Sequence, residues 1–524
     1  MKGLLTSLIT VLTFTGLQAQ TPQSAPRLVI GLTIDQLRTD YLEAFSSLYG
    51  ERGFKRLWKE GRVFTNGQYT FDNIDRSSAI AAIYTGTTPS VNGIISNRWM
   101  DISTLRVINS ADNASFMGYY TDETCAPTNL LTSTLSDELR IATQKQSLVY
   151  SISPFNDSSI FGAGHTANGA LWLNPNSGKW CGTTYYGEFP LFANQYNDQK
   201  AVDLRIKDLV WEPVYPRGMY TFLPDWRDIL FKYKFDDEKQ NKFRRFITSP
   251  FVNDEINNLT KTLLDKTFIG ADDITDLLSL TYYGGNYNHK SVQECAMEIQ
   301  DTYVRLDRSL ADLLDIVDRK IGLSNVLFFI TSTGYTDTES ADAASYKIPG
   351  GEFHLNRCAA LLNMYLMATY GEGKYVEGYY DQQIYLNHKL IEKKQLDLRE
   401  IQDKSAEFLM QFSGVNETYS GYRLLLGSWS PDIDKKRNAY HRKRSGDLLI
   451  DILPGWSIVS EDNRTEKVVR QFNVPTPIIF MGYSVKPAII NTPVTIEQIA
   501  PTVAHYMRIR APNASKASAL TNLK

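Results

Sequence analysis

Asp35 follows the apolar, branched run LVIGLTI, so it is the carboxylate that a buried strand would deliver to its C-terminal edge. In open α/β sheets that edge is where ligands bind. Arg76, Ser77 and Ser78 stand just ahead of the Ala-rich run AIAAI, where a loop would enter a helix. Hydroxyls and backbone N–H groups at such a place suit an anion or a nucleophile. Ser77 is the nucleophile candidate by residue type. No histidine falls beside it to act as base, and a serine without a base or a metal is weak. The competing reading is that Ser77 and Ser78 cap the helix.

Imidazole is scarce in this chain, with six histidines at 165, 289, 354, 388, 441 and 505. His165 ends the stretch FNDSSIFGAGH and, flanked by Gly and Ala, reads as a packed structural residue. His388 and His441 have no matching carboxylate cluster. Cys125, Cys181, Cys295 and Cys358 are too widely spaced for a zinc-finger or redox motif. One or two disulfides remain open on spacing alone.

Several elements must position these groups. Leu28–Ile34 reads as a strand, and GERGFKRLWKEG as a helix with Phe54, Leu57 and Trp58 on one face. The helix through Ile83 ends in the turn-rich TGTTPSVNG, and Asn97 follows in SNRW. SLVYSIS, Leu277–Leu280, NVLFFITST and TPIIFMG read as further strands. A helix is expected from about Cys295 to Ile321, with Leu306, Leu310, Leu313 and Val317 at helical spacing. A last helix falls in VTIEQIAPTVAHYM. Strands recurring between helices predict an α/β core with a mainly parallel sheet flanked by helices.

Two stretches interrupt that alternation and read as long insertions, at about 172–275 and 347–468. The first is rich in aromatics, among them Tyr185, Tyr186, Trp211, Tyr215, Tyr220 and Trp226. The second holds the basic run KKRNAYHRKR, which reads as a solvated loop.

A formal net charge of -3 on 524 residues speaks against nucleic acid or an anionic membrane as the main partner. The opening MKGLLTSLITVLTFTGLQAQ has the charged start, apolar middle and small-residue end of a signal peptide cut after Ala19. A folded domain is expected over 26–524, and no later stretch reaches membrane-spanning length. The expected product is exported, periplasmic or cell-surface, and soluble once residues 1–19 are removed.

The segments TIDQLRTDYL, GFKRLWKEG, IYTGTTPSVNGIISNRW, DDITDLLSLTYYGG and SGDLLIDILPGW, in this order and spacing, resemble the exported alkaline phosphatases of the type I phosphodiesterase/nucleotide pyrophosphatase superfamily. The resemblance covers nearly all of the mature chain and implies an alkaline-phosphatase-like core. It also implies two zinc ions about 4 Å apart that clamp the attacking and leaving oxygens of a phosphoryl transfer. Three histidines, three carboxylates and a Thr or Ser nucleophile serve that centre in the family.

Position by position, this chain departs from that pattern. Asp35 falls on a carboxylate ligand and Asn97 on a phosphate-contacting Asn. Arg76 falls on the nucleophile, and arginine, always protonated, cannot attack phosphorus. The other ligand positions fall on Thr281, Gly285, Thr333, Gly334 and, in the loop before the closing strand, Glu466. The Lys and Arg that contact phosphate in the family fall on Phe155 and Asp157. Catalytic zinc needs about three protein ligands, so the expectation is a degenerate site, no metal cofactor and no confident catalytic residue.

The expected function is a non-catalytic pseudophosphatase that binds an unidentified protein or a small anionic ligand, the latter through Arg76 and Asn97. The alternative is a zinc-dependent phosphomonoesterase or phosphodiesterase. One further expectation is geometric: with its metal gone, the buried Asp35 needs a counter-charge, and Arg76 should reach it.

Overall fold

The computed structural model describes residues 25–224, 227, 230–237, 241–336, 350–428, 430–453, 455–460, 465–468, 471–472 and 474–520. The proposed signal peptide, 1–19, lies outside them. So do residues 347–349 at the start of the second expected insertion.

The strand Leu28–Asp35 is buried at every position, because it has a parallel partner on each side and a layer of helices on each face. In register, Thr33 lies opposite Thr281 of the strand Asp276–Tyr283 and opposite Thr331 of the strand Val326–Ser332. The alternation of the strand divides the core in two. Leu28, Ile30, Leu32 and Ile34 pack with Leu306, Leu310 and Leu313 of the long helix Val292–Lys320. Val29 packs instead with the cluster of the helix Arg76–Thr85, and the odd-numbered face therefore carries Asp35 toward that helix. Gly31 makes the close approach possible: a Cβ there would lie 2.2 Å from the Phe329 ring and 2.6 Å from the Tyr84 hydroxyl.

These strands belong to a sheet of eleven. Ten run along it, in order Ala488–Ile490, Arg62–Gln68, Thr476–Gly482, Val326–Ser332, Leu28–Asp35, Asp276–Tyr283, Val149–Ser153, Gly169–Leu173, Trp180–Thr183 and Gly118–Tyr119, and the eleventh, Val494–Thr495, pairs with Arg62–Gln68. Its centre is parallel, as expected, but Thr476–Gly482 runs antiparallel to both its neighbours. The sheet is thus large and mixed. Arg62–Gln68 has no counterpart in the sequence reading, since the Asn66–Gly67 pair gives it the look of a turn.

The stretch 172–275 begins inside the sheet, not outside it. Trp180–Thr183 extends the sheet beside Gly169–Leu173, and Trp180 and Trp211 join the same apolar cluster as the central strand. Trp211 donates its ring N–H to the buried Asp301 at 2.6 Å. Trp180 is core because its strand belongs to the main sheet, whereas Trp211 lies on a separate pair with Tyr233–Lys234; Trp226 lies outside the described residues.

The second segment has a four-stranded sheet, in the order Val376–Tyr380, Gln383–Leu386, Leu448–Ile452, Val415–Ser420, and its own apolar cluster around Leu362, Leu366, Ile401 and Ile450. Its basic run is not a solvated loop. Lys436 pairs with Asp72 at 3.3 Å and Asp451 at 2.7 Å, and Arg444 donates to the Gly93 and Asn129 carbonyls. The cations tie this segment to the loops beside the Arg76 helix.

All four cysteines are free and buried. Among the described residues, no helix is long and apolar enough to cross a membrane.

Candidate functional site

The C-terminal ends of three parallel strands place Asp35, the Tyr283–Gly285 turn and the Thr333–Gly334 turn along one edge of the sheet. The helix Arg76–Thr85 starts opposite them. Its N-cap is Asp75, whose side chain accepts from the Ser78 N–H at 3.0 Å while the Ser78 hydroxyl meets the Asp75 backbone N–H, a capping box. The cap expected of Ser77 and Ser78 is therefore Asp75's, with Ser78 as the reciprocal partner. The Ser77 N–H is taken by the Asn97 side-chain oxygen at 3.1 Å. Asn97 thus fills the helix start with a protein acceptor where an anion would otherwise sit.

Arg76 turns its side chain inward. Its Nε donates to Asp157 at 2.9 Å, and its Nη1 reaches Asp35 at 3.5 Å. The guanidinium lies over the Phe155 ring, 3.6 Å from the centroid, a stacked geometry that only arginine among the cations makes well. Arg76 keeps 18% of its side-chain surface, Asp157 7% and Asp35 none. The expected ion pair is present, and Asp157 is its closer member.

Asp35 has further partners. Thr333 donates its hydroxyl to one carboxylate oxygen at 3.0 Å and accepts the Gln36 backbone N–H at 2.9 Å. Burial pushes the Asp35 carboxyl above the ordinary carboxylate range, against the Arg76 charge and the hydroxyls of Thr333 and Tyr335. Burial also works against the charge on Arg76, but Asp157 and then Asp35 more than offset it and hold Arg76 protonated.

Ser77 has lost the freedom a nucleophile needs. Its hydroxyl is fully buried, donates to Asp157 at 2.9 Å and lies 2.8 Å from the Ser110 hydroxyl. The carboxylate it meets is the one that pairs with Arg76.

The remaining positions matched to ligands hold other side chains' atoms in place of donors. Thr281 is buried beside Thr33 in the sheet. A Cβ at Gly285 would meet the Gln36 Oε1 and the Tyr283 hydroxyl, each at 2.8 Å. At Gly334 it would lie 2.3 Å from the Tyr69 ring, which is fixed there because its hydroxyl donates to the Ser332 carbonyl at 2.8 Å. Glu466 lies on the strand Thr465–Val468, and its side chain is outside the described residues. No group of three His, Cys, Asp or Glu side chains able to hold a metal occurs among the described residues. A zinc pair does not fit the residues present: a guanidinium faces the one carboxylate in the strand, and Gln36 and Tyr69 crowd Gly285 and Gly334.

Residues 29–475 match the family model of type I phosphodiesterase/nucleotide pyrophosphatase. The chain belongs to that family. It is 29% identical over 531 residues to alkaline phosphatase PafA of Elizabethkingia meningoseptica, covering 97% of this chain and 96% of that one. It is 28% identical over 516 residues to alkaline phosphatase PhoV of Synechococcus elongatus, covering 95% and 93%. A crystal structure of wild-type PafA superimposes with a TM-score of 0.83 at 28% identity over 95% of this chain and 99% of that chain. Murine ectonucleotide pyrophosphatase/phosphodiesterase 5, with a TM-score of 0.52 at 12% identity, shares the fold.

The sequence brought Asp35, Arg76, Thr333 and Asn97 to notice, and the phosphodiesterase-family fold gathers them at one edge. It did not bring out Gln36, Tyr69 or Tyr335. Nor did it pair Asp157 with Arg76, although both stand at substituted positions. The histidines are elsewhere. His165 bonds Asp137 through Nδ1 at 2.9 Å and the Leu130 carbonyl through Nε2 at 3.0 Å. Burial opposes its protonation, but the Asp137 carboxylate and the carbonyl outweigh it and raise its pKa. It is a structural residue. His388 does meet a carboxylate, Asp447 at 2.7 Å, on the surface of the second segment.

Proposed function

We propose that this chain is an exported, non-catalytic member of the type I phosphodiesterase/nucleotide pyrophosphatase family that acts by binding a ligand or another protein. One observation carries the reading: Arg76, which the family resemblance matches to the nucleophile, spans Asp35 and Asp157. A positive charge held on the carboxylate that would ligate zinc competes directly with the metal. A strand-edge hydroxyl, Thr333, engages the same carboxylate. The site carries no assembled nucleophile either, since Ser77 is buried and donates to a carboxylate already paired.

Arg76 and Asn97 are poorly suited to the anion site expected of them. The guanidinium already faces two carboxylates, and the Asn97 oxygen faces a backbone N–H. Binding in this reading uses other surfaces.

The names of the relatives favour a second reading, a metal-dependent phosphomonoesterase or phosphodiesterase, because the alignment to proteins called alkaline phosphatases runs the length of the chain. Hydrolysis of an aryl phosphate and of an aryl phosphodiester by the purified chain, with and without added zinc, separates the two. The non-catalytic reading expects no turnover above that of an Asp35→Ala control. Zinc-stimulated turnover lost in that control would replace it with the second reading.

A further inference from the structure

The short strand Gly118–Tyr119 closes the main sheet at one end, paired with Trp180–Thr183. Beside it opens a bowl of about 700 Å³ lined by Tyr119, Tyr120, Glu188, Phe189, Leu191 and Asn194, among others. That volume is within the range of small-ligand sites. The bowl is five strands along from Leu28–Asp35, roughly 24 Å at the usual strand spacing. It therefore belongs to neither Arg76 nor its partners.

Its aromatic wall is built. The Phe189 ring packs against Tyr119, with centroids 5.6 Å apart, and against Tyr120, at 5.3 Å. Both tyrosine hydroxyls are spent on the protein: Tyr119 donates to the Gly187 carbonyl at 3.2 Å and Tyr120 to the Asn194 side-chain oxygen. What these residues leave for a ligand is ring surface. Tyr120 also sits at φ +59°, a left-handed conformation that a bulky L-residue adopts at a conformational cost. Even so, 40% of its surface stays exposed, and Leu191 beside it is 71% exposed. The fold thus strains a tyrosine to present its ring without burying it.

Three polar groups flank this wall: Glu188 and Asn194, which line the bowl, and Lys179, which does not line it and whose ammonium lies over the Tyr120 ring, 5.8 Å from the centroid. The Glu188 carboxylate is exposed and has no partner among the described residues, and the Asn194 amide nitrogen likewise has none. An acceptor and a donor flanking aromatic faces match the chemistry of a sugar, whose axial C–H face is apolar and whose edge carries hydroxyls. A phosphorylated or carboxylated ligand would meet Glu188 with like charge. We propose that this bowl binds a neutral saccharide, stacking an apolar sugar face on one ring of a wall in which Phe189 stands at 46° to Tyr119 and 64° to Tyr120, while its hydroxyls meet Glu188 and Asn194. The site is independent of whether the Arg76 centre hydrolyses esters.

The experiment is calorimetric titration of the full chain with cellohexaose, maltohexaose and tetra-N-acetylchitotetraose. At least one should bind in the ~0.1–10 mM range usual for a shallow stacking site, which corresponds to a few kcal/mol. Tyr120→Ala and Phe189→Ala should each weaken it about tenfold, the equivalent of one aromatic contact. Each is checked for an unchanged melting temperature. Glu188→Gln, at an exposed position that folding does not need, should weaken it severalfold. No saturable binding of any of the three probes, or binding indifferent to all three substitutions, would overturn the proposal. So would binding of apolar peptides in the bowl in preference to the sugars.

Discussion

Replacing Arg76 by methionine keeps most of the side-chain volume over Phe155 and removes the charge. Asp35, with no exposed surface, and Asp157, with 7%, then lose their shared cation. Removing one partner of a buried pair costs about 3–5 kcal/mol, and the 18% of Arg76 that remains exposed places this case toward the lower figure, with the lost cation–π contact adding a fraction. Unfolding entropy scales at about 2.1 cal/mol/K per residue, so for a chain of 524 residues a loss of about 3 kcal/mol lowers the melting temperature by about 3 °C. Differential scanning calorimetry resolves that.

The pH dependence has a definite sign. A carboxyl whose folded pKa lies above its unfolded value binds more protons when folded, so its stability contribution is lost as pH rises through the folded pKa. Asp35 is already raised, and loss of Arg76 raises it further. The defect in Arg76→Met is therefore largest at neutral pH and shrinks as pH falls toward the ordinary carboxylate pKa of about 3.9. Adding Asp35→Asn should restore much of the stability, with a coupling energy of about 1–3 kcal/mol. A loss below about 0.5 kcal/mol for Arg76→Met at pH 7, the scale of an ordinary surface change, would refute the ion-pair reasoning. Strict additivity of the two substitutions would refute it equally.

Other outcomes follow from the same contacts. Arg76→Thr should give no aryl-phosphate turnover with added zinc, because the positions at Thr281, Gly285 and Gly334 still lack ligands; a steady-state assay checks it. Gly334→Ala should destabilise by about 2–4 kcal/mol in urea unfolding, combining the left-handed φ of +70° with a Cβ driven into the Tyr69 ring. The His165–Asp137 bond contributes stability that is present below the ordinary histidine pKa of about 6.5 and lost as pH rises through the raised folded value. His165→Asn should therefore flatten the fall in melting temperature across that window. Burial pushes Glu255 up to about 7, over the opposition of Arg205, so Glu255→Gln should remove part of the stability loss between pH 4.5 and 7.

The core was legible because its signals are local. Leu28–Ile34 and NVLFFITST are short branched runs that only a sheet centre buries on both faces, and their ends gave Asp35 and Thr333 as edge residues. The Arg76–Asp35 contact followed from the resemblance together with charge, since the matched positions lose metal ligands and gain an arginine, and a buried carboxylate without a metal needs a cation. The Asp157–Arg76 bond has no local signal, because 81 positions of sequence separate the two residues. Gln36 and Tyr69 escaped for different reasons. The side chain of Gln36 reaches Gly285 from a residue at φ +61°, which nothing in IDQLR announces. Tyr69 directly follows Arg62–Gln68, a strand whose Asn-Gly pair disguised it. The Asp75 cap is readable from the D-x-x-S spacing of a capping box.

A guanidinium and two carboxylates meet at the strand edge where the family resemblance would put zinc. Zinc content after purification and dialysis against micromolar zinc, measured by plasma mass spectrometry on wild type and Asp35→Ala, tests this most directly. The account predicts well under ~0.1 zinc per chain, indistinguishable between the two proteins. About two zinc ions per wild-type chain, as a two-metal centre requires, with loss in Asp35→Ala, would contradict it.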